Sequence, residues 1–527
     1  MKKKIGKEKK ILFKNKLLVP ILIFLLSFAV RVIWIGKYVG QDEIYYVGYT
    51  FDLIRGKSFQ NVFPPFFEIF LSPFALLAGE NFAAIHIFMA ILGAINVLAV
   101  YWIGKKFLNE WAGIVAALLL TFNTTHWFFS DFGMLDVPVT LFSTISLFYL
   151  WSGYKKKNID HLIVGSLFGC FSVLTKYGFF VPLAMLGYIV LFDRKSLKDK
   201  RLLAIILIPL VVFGLWMYYY ITQLTGLWSW WQSYLMGKLE INIPYYIYLE
   251  STYNEFLLPI LTVFVLFTSL FFLAKKVGSK ARYVQYIFLI LFVLIFYYLN
   301  FTPLQPQAKA AIGFSSLALL GLNYWKKDFN RYMILIILLT FAYYSAIAVK
   351  FPRYVMPALP AVYLLVGQLF YDIKKYRIYL LVGLGVLLIF ILLNSTDTIN
   401  KLLVDSKIND VKYTAQQYMI ANSEKCSVVI SKTWYGFYYV RDRVNDLSDV
   451  NGFLGNIRSR CSCPPKYVVS EGYLSSEFLQ YVEKEKSFSG TAVQYRIDER
   501  GFRVDETAIA NVDVYRIKDE VVKEQCK

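Results

Sequence analysis

The sequence predicts a polytopic α-helical membrane protein with a small α/β domain at its C-terminus. Three observations carry that prediction. The 527-residue chain is 57% hydrophobic and 17% charged, far from soluble-protein norms. Long apolar runs alternate with short loops rich in lysine and arginine, and after Ser395 polarity returns and persists to Lys527. The formal charge of +20 is concentrated in those loops, so it reads as topology-setting charge and not as a nucleic-acid surface. An aromatic share of 18% suits helix ends placed at membrane interfaces, where Tyr and Trp are favoured.

The elements follow in order. Residues 1–16, including MKKKIGKEKK, form a basic cytoplasmic N-terminus. LLVPILIFLLSFAVRVIWI (17–35) is too long for a signal core and lacks a small-residue cleavage site, so it reads as a retained first transmembrane helix. Further spans are expected at 82–104, 111–129, 134–152, 161–175, 178–192, 202–222, 256–274, 283–300, 308–325, 332–349, 355–371 and 377–394. That makes about 13 transmembrane helices within 17–394. Walking them through with alternating direction puts GKKFLNE, GYKKKN, DRKSLKDKR, KKVGSKAR, KKDFNR and IKKYR on the inside, and each is basic. The turns expected outside, SDFGMLD, NFTPLQPQ and KFPR, are poorer in charge. An odd number of spans places residues 395–527 on the extracytoplasmic side.

The first outer loop, 36–81, is long, and its paired Pro64 and Pro65 should end one helix and start another. The Trp- and Tyr-rich stretch around 223–255 reads as a helix lying at the interface. In the C-terminal domain CSVVIS, GFYYVRD and PKYVVS alternate like strands, and DSKINDVKYTAQQYMIAN reads as a helix. Cys426 is expected to pair with Cys461 or Cys463 in an oxidising compartment. The Cys461-x-Cys463 spacing is no zinc signature on its own.

Candidate chemistry lies on the outer side. Asp42 and Glu43, in GQDEIYYVGYTFDLIRGKSF, place adjacent carboxylates beside a bilayer, where charge is costly. Such a pair suits work on a hydroxyl, a phosphate or a divalent cation; it also suits the N-terminus of a helix, as Asp136 would suit an N-cap. Asp131 and Asp136 form a second acidic centre in SDFGMLD. Lysines and arginines outside run against the positive-inside rule, which singles out Lys176, Arg353 and Arg55 as ligands for an anion such as a lipid phosphate. Lys57 and Lys309 fit snorkelling to headgroups better. Arg31, inside the first span, should face the protein interior with a partner, and His86 reads as a hydrogen-bonded packing residue. No Walker loop, dinucleotide fingerprint or zinc signature is present. Chemistry outside the cytoplasm has no direct access to nucleotide donors, so an activated group borne by a lipid is the natural source.

In order along the chain, these motifs resemble the lipid-linked-sugar glycosyltransferases of the GT-C fold. The nearest branch contains the dolichyl-phosphate-mannose–protein mannosyltransferases and the bacterial aminoarabinose lipid A transferases. The likeness runs from Arg31 to Leu183: the first-helix arginine, QDEIYYVGYTFDLIRGKSF, NVFPPFFEIFLSPFALLAG and the small-residue helix AAIHIFMAILGAINVLAVYWIGKKF. It continues through SDFGMLDVPVTLF and GSLFGCFSVLTKYGFFVPL, and RYVMPALPAVYLL follows late. His86 and Asp131 stand where the family often has basic residues.

The resemblance implies inverting transfer of a sugar from a polyprenyl (dolichyl) phosphate to an acceptor hydroxyl on protein, lipid or glycan. It implies Asp42 as the base that takes the acceptor proton, with Glu43 and Asp136 orienting the acceptor or holding a cation. Lys176, Arg353 and Arg55 would bind the donor phosphate. A divalent cation, Mg or Mn, on Asp42 and Glu43 is compatible with these oxygen ligands and not required by them.

Two other readings stay open. One is an oligosaccharyltransferase-like enzyme, suggested by KTWYGFYYVRDR. The other is a lipid-linked-sugar flippase or transporter, against which stands the lack of internal repeats.

Overall fold

The computed structural model describes residues 17–33, 35, 41–56, 64–79, 81–223, 248–249, 261–262, 264–266, 268–270, 272, 305–346, 352–373, 414–415, 418–419, 421–422, 429–431, 443–444, 450–471, 474–498 and 501–527. The expected spans at 283–300 and 377–394 lie outside these residues, as do most of 256–274 and of the interfacial stretch 223–255. The chain divides into two compact units. One comprises residues 1–35, 52–399 and 497–502, and the other residues 36–51, 400–496 and 503–527.

The first unit is helical. Its elements are α1 (Leu18–Val32), the end of α2 (Gln41–Ile54), α3 (Phe66–Ala78), α4 (Phe82–Phe107), α5 (Glu110–Thr121), α6 (Thr124–Phe129), α7 (Asp136–Lys156), α8 (Ile159–Lys176) and α9 (Phe180–Phe192). After them come α10 (Leu203–Gln223), α11 (Pro306–Tyr324), α12 (Asp328–Ala346), a 3-10 segment (Pro352–Ala358) and α13 (Leu359–Ile373). Among the described residues, four helices are long and apolar enough to cross a membrane: Phe82–Phe107, Ile159–Lys176, Lys200–Thr222 and Arg353–Ile373.

Local sequence explains the starts. Asn81, Asn109, Asn123 and Asn158 each accept a backbone N–H at a helix N-terminus, the usual job of an N-cap side chain. The prolines at 64 and 65 precede α3 as expected, and Gly79, at φ 66, closes it in the left-handed conformation that glycine allows. The expected span 111–129 is instead two helices. Asn123 prefers to cap a new helix over continuing the old one, and α5 ends at Thr121.

Apolar burial gives little drive between helices in lipid, so close backbone approach matters. A Cβ at Gly104 would overlap Gly113, and one at Gly367 would overlap Ala112, so α4, α5 and α13 meet backbone to backbone. Gly153 and Gly165 do the same for α7 and α8 against Leu162 and Leu150. In contrast, Leu22, Leu25 and Leu26 on α1 and Leu210, Val211 and Leu215 on α10 are exposed, as lipid-facing side chains should be.

The second unit contains the start of α2 and a five-stranded sheet. Its strands are β1 (Val429–Ser431), β2 (Arg443–Val444), β3 (Tyr467–Glu471), β4 (Val482–Asp498) and β5 (Gly501–Ile517), in the order β2-β1-β3-β5-β4. β1 runs parallel to β2 and β3, and β3 pairs antiparallel with β5, Val469 facing Val514. Period-2 alternation builds a core on each face. Tyr467, Val469, Val512 and Val514 pack with Ala415 and Met419 on one side, while Val468, Tyr515 and Ile517 pack with Phe453, Ile457 and Phe478 on the other.

The expected strands CSVVIS and PKYVVS are β1 and β3, and GFYYVRD lies outside the described residues. The two 17-residue strands β4 and β5 were not anticipated, because their many charges mask the alternation. Of the two pairings expected for Cys426, the one with Cys461 is overturned. Cys461 is bonded to Cys526, not to Cys426, because the tail from β5 into α15 (Asp519–Gln525) returns beside α14 (Val450–Arg458) and brings Cys526 within a Cα–Cα distance of 5.3 Å. Cys463 is also disulfide-bonded, which leaves its pairing with Cys426 standing; Cys426 itself lies outside the described residues.

Candidate functional site

Three of the anticipated residues converge inside the helical unit. Asp136 is the first residue of α7 and Lys176 the last of α8, positions where the helix dipoles favour an anion and a cation respectively. Arg353 comes from the 3-10 segment before α13. Lys176 Nζ donates to Asp136 Oδ1 at 2.5 Å, and Arg353 Nε lies 3.8 Å from Asp136 Oδ2. All three are buried, with 1%, 5% and 8% of their surface exposed. That exposure is low enough for a missing partner to be costly.

Aromatic rings complete the enclosure. Lys176 Nζ stands 4.2 Å from the Tyr354 ring centroid, and the Arg353 guanidinium 5.3 Å from that of Phe129, both within cation–π range. Lys176 is fixed by the chain reversal that follows it: Tyr177 takes a left-handed φ of 55 and its N–H closes on Val173 O at 2.8 Å.

Asp136 is therefore no N-cap. Leu135 holds that position without a side-chain bond, and the Asp136 carboxylate is turned to the cations. Among the described residues, the cluster sets two buried cations against one carboxylate. Cations held in this way can bind an anion and neutralise a leaving group that departs with negative charge.

The other anticipated residues are placed as follows. Arg55, just past the end of α2, pairs with Asp52 of that helix at 3.6 Å. Glu43 is fully buried on the start of α2, in the second unit. Asp42 is the second residue of that helix, and its side chain lies outside the described part. Lys57 also lies outside the described residues, and Lys309 is partly exposed on α11. His86 is buried and meets the Phe132 ring edge-on at 5.8 Å. Among the described residues no group of three or more His, Cys, Asp or Glu side chains could hold a metal ion.

Arg31 faces inward with partners, as its position predicts. It is fully buried and bonded to Ser27 and to His126. His126, Asn96 and Ser130, which the sequence reading passed over, complete that network. The signal was available: each is a polar residue inside an apolar run, where an unpaired group would be expensive.

Comparison with known proteins agrees with this architecture. Residues 63–219 match the family model described as dolichyl-phosphate-mannose-protein mannosyltransferase. Over 238 residues the chain is 30% identical to dolichyl-phosphooligosaccharide-protein glycotransferase 1 of Pyrococcus horikoshii, a match covering 38% of this chain and 24% of that relative. The chain thus spans about a quarter of the length of that curated relative. ArnT from Cupriavidus metallidurans superposes over 96% of this chain and 98% of its own. The TM-score is 0.58 in the apo state and 0.53 with undecaprenyl phosphate bound, at 12% identity in both. The chain is a multi-pass membrane protein with the GT-C fold of membrane glycosyltransferases.

Proposed function

We propose that this protein is a membrane glycosyltransferase that moves a sugar, with inversion, from a polyprenyl (dolichyl) phosphate to an acceptor hydroxyl on protein, lipid or glycan at the outer membrane face. The observation that carries the reading is the buried Asp136–Lys176–Arg353 cluster, which brings two cations from separate elements to one place inside the helical unit. A lipid phosphate is anionic before and after transfer, and its departing form needs neutralisation where water is scarce.

In this reading Lys176 and Arg353 bind the donor phosphate, with Arg55 as a further cation. Asp136 aims both cations and so lowers the cost of burying them. Asp42 takes the proton from the acceptor hydroxyl as its oxygen attacks the anomeric carbon. The bond from that carbon to the phosphate oxygen breaks, and the polyprenyl phosphate leaves with the electron pair. Glu43 orients the acceptor, and with Asp42 it would hold Mg or Mn if a cation is used; a bound cation would supply further charge neutralisation at the phosphate. The N-terminus is cytoplasmic, the domain 395–527 is extracytoplasmic, and that domain helps to choose the acceptor.

The kinship to the Pyrococcus glycotransferase favours a second reading, in which the donor carries an oligosaccharide and the acceptor is a protein. Purified protein in lipid nanodiscs, offered polyprenyl-phosphate monosaccharides and lipid-linked oligosaccharides in parallel, decides between the two. Release of polyprenyl phosphate with a glycosylated product supports the enzyme. Translocation of intact donor across a vesicle, with no cleavage by the protein, would instead make it a flippase.

A further inference from the structure

The phosphate cluster leaves a second buried polar network in the helical unit unexplained. Arg31 Nη1 donates to Ser27 O at 2.8 Å and to Ser27 Oγ at 2.6 Å. Its Nη2 lies 2.8 Å from His126 Nδ1. A guanidinium has donors only, so Nδ1 accepts and the hydrogen of the neutral ring sits on Nε2. Nε2 is 3.0 Å from the Asn96 carboxamide. The structure sets Asn96 Nδ2 against it, so that tautomer requires the amide to turn and bring its oxygen to the Nε2 hydrogen. Asp131 supplies the opposing charge to Arg31. The network fits because residue 93 is glycine: a Cβ there would stand 2.5 Å from Ser130 Oγ and 2.8 Å from Arg31 Nε.

Everything in this network converges on α6. The helix has six residues, too few to be stable without outside support. His126 is gripped by Arg31 and Asn96. Asn123 accepts from the His126 N–H at 2.7 Å and donates to the Tyr363 hydroxyl of α13 at 2.8 Å. Ser130 donates back to His126 O at 2.5 Å. At its far end α6 presents Phe129 to the Arg353 guanidinium, and the chain runs on through residues 130–135 into Asp136.

We propose that Arg31 and His126 are positioning residues for the phosphate cluster, acting through α6 on Arg353 and Asp136. Resting on the function proposed above, this assigns a role to a buried arginine that lies outside the Asp136–Lys176–Arg353 cluster. A buried ion–dipole network is poor value for stability alone, since well-packed apolar side chains would hold the helices as well.

The test uses Arg31→Met/His126→Leu, in which the bonded pair becomes apolar together, while Asn96 and Asp131 each lose one partner. The readouts are thermal unfolding in nanodiscs, the Kd for polyprenyl phosphate, and donor KM and kcat. We expect a folded protein with a lowered unfolding midpoint, because Asn96 and Asp131 lose a partner, while Kd and donor KM rise by about 10–10²-fold, as for a small misplacement of binding groups. His126→Gln, which keeps an acceptor for Arg31, should restore most of the loss; His126→Leu alone should not. A folded double variant with wild-type Kd and KM overturns the proposal, as does a His126→Gln variant no better than His126→Leu. These two single variants decide the matter if the double variant fails to fold. If wild-type protein binds no polyprenyl phosphate, the donor reading fails and this inference with it. Wild-type binding alongside an undisturbed double variant defeats this inference alone.

Discussion

Lys176→Met is the most informative perturbation of the phosphate cluster. It keeps much of the side-chain volume and removes one of the two cations that face Asp136. Two effects follow from the geometry. Asp136 loses its 2.5 Å partner, and breaking a buried pair costs about 3–5 kcal/mol. Arg353, already 3.8 Å from the other carboxylate oxygen, should hold the loss near the lower end.

For the donor, one charge pair at about 4 Å in an effective dielectric near 20 is worth about 4 kcal/mol. At about 1.4 kcal/mol per decade this approaches 10³-fold. We therefore expect kcat/KM for the lipid donor to fall by about 10²–10³-fold, with KM raised. The sharper expectation concerns Lys176→Met/Asp136→Asn, in which the net charge of these three positions returns to its wild-type value. It should recover part of the donor affinity lost in the single variant. The assay is single-turnover release of polyprenyl phosphate from labelled donor, with melting curves to confirm folding. A folded Lys176→Met enzyme with wild-type kcat/KM would refute the phosphate role, and a double variant worse than the single would refute the charge argument.

Other expectations follow from the same coordinates and sequence. Asp42→Asn should lower turnover by about 10²–10⁴-fold, the usual worth of a general base, with little change in donor Kd; unchanged turnover would remove Asp42 from that role. Cys461→Ser opens a disulfide with a sequence separation of 65, and chain entropy sets the loss at roughly 4 kcal/mol. The C-terminal domain should become protease-sensitive while the helical unit does not, and equal sensitivity of both would contradict this.

Asp513 offers a pH test. Burial alone would raise its pKa, but hydrogen bonds from Lys484 and Ser487 outweigh it and hold the carboxyl below its ordinary 3.8. A depressed carboxylate contributes stability above its ordinary pKa and loses it as pH falls through the folded value. The stability gap between wild type and Asp513→Asn should therefore close below about pH 4; a gap that widens there would sink the argument. Maleimide labelling of Ser475→Cys and Asn61→Cys in intact cells, with native cysteines blocked, checks the topology. Labelling at one site and protection at the other would break it.

What the sequence made legible was whatever depends on one residue's intrinsic cost. Arg31, Lys176 and Arg353 stand out because a cation inside an apolar run needs a reason, and each has one: Arg31 meets His126, and the other two meet Asp136. Helix starts were similarly readable from Pro64 and Pro65. What depends on partners far along the chain was not readable. The N-cap expectation for Asp136 was sound local chemistry, but Lys176, 40 residues on, and Arg353 outcompete the backbone for its carboxylate. His126 reads as an ordinary polar residue until α1 and α4 bring Arg31 and Asn96 to its two nitrogens. The Cys461–Cys526 bond likewise depends on the long β4–β5 excursion that returns the tail to α14.

Gly93 shows the same logic from the other side. In sequence it is one small residue among several on α4, yet in the fold it is the space that Ser130 and Arg31 fill. Fold class follows from costs that are local, namely hydrophobicity, loop charge and helix breakers. The site follows from balances among buried charges, where the decisive quantity is the sum over Asp136, Lys176 and Arg353, and no single one of them predicts it. Substitutions in this protein are therefore best judged by what they do to that sum, even when they lie on a helix that touches none of the three.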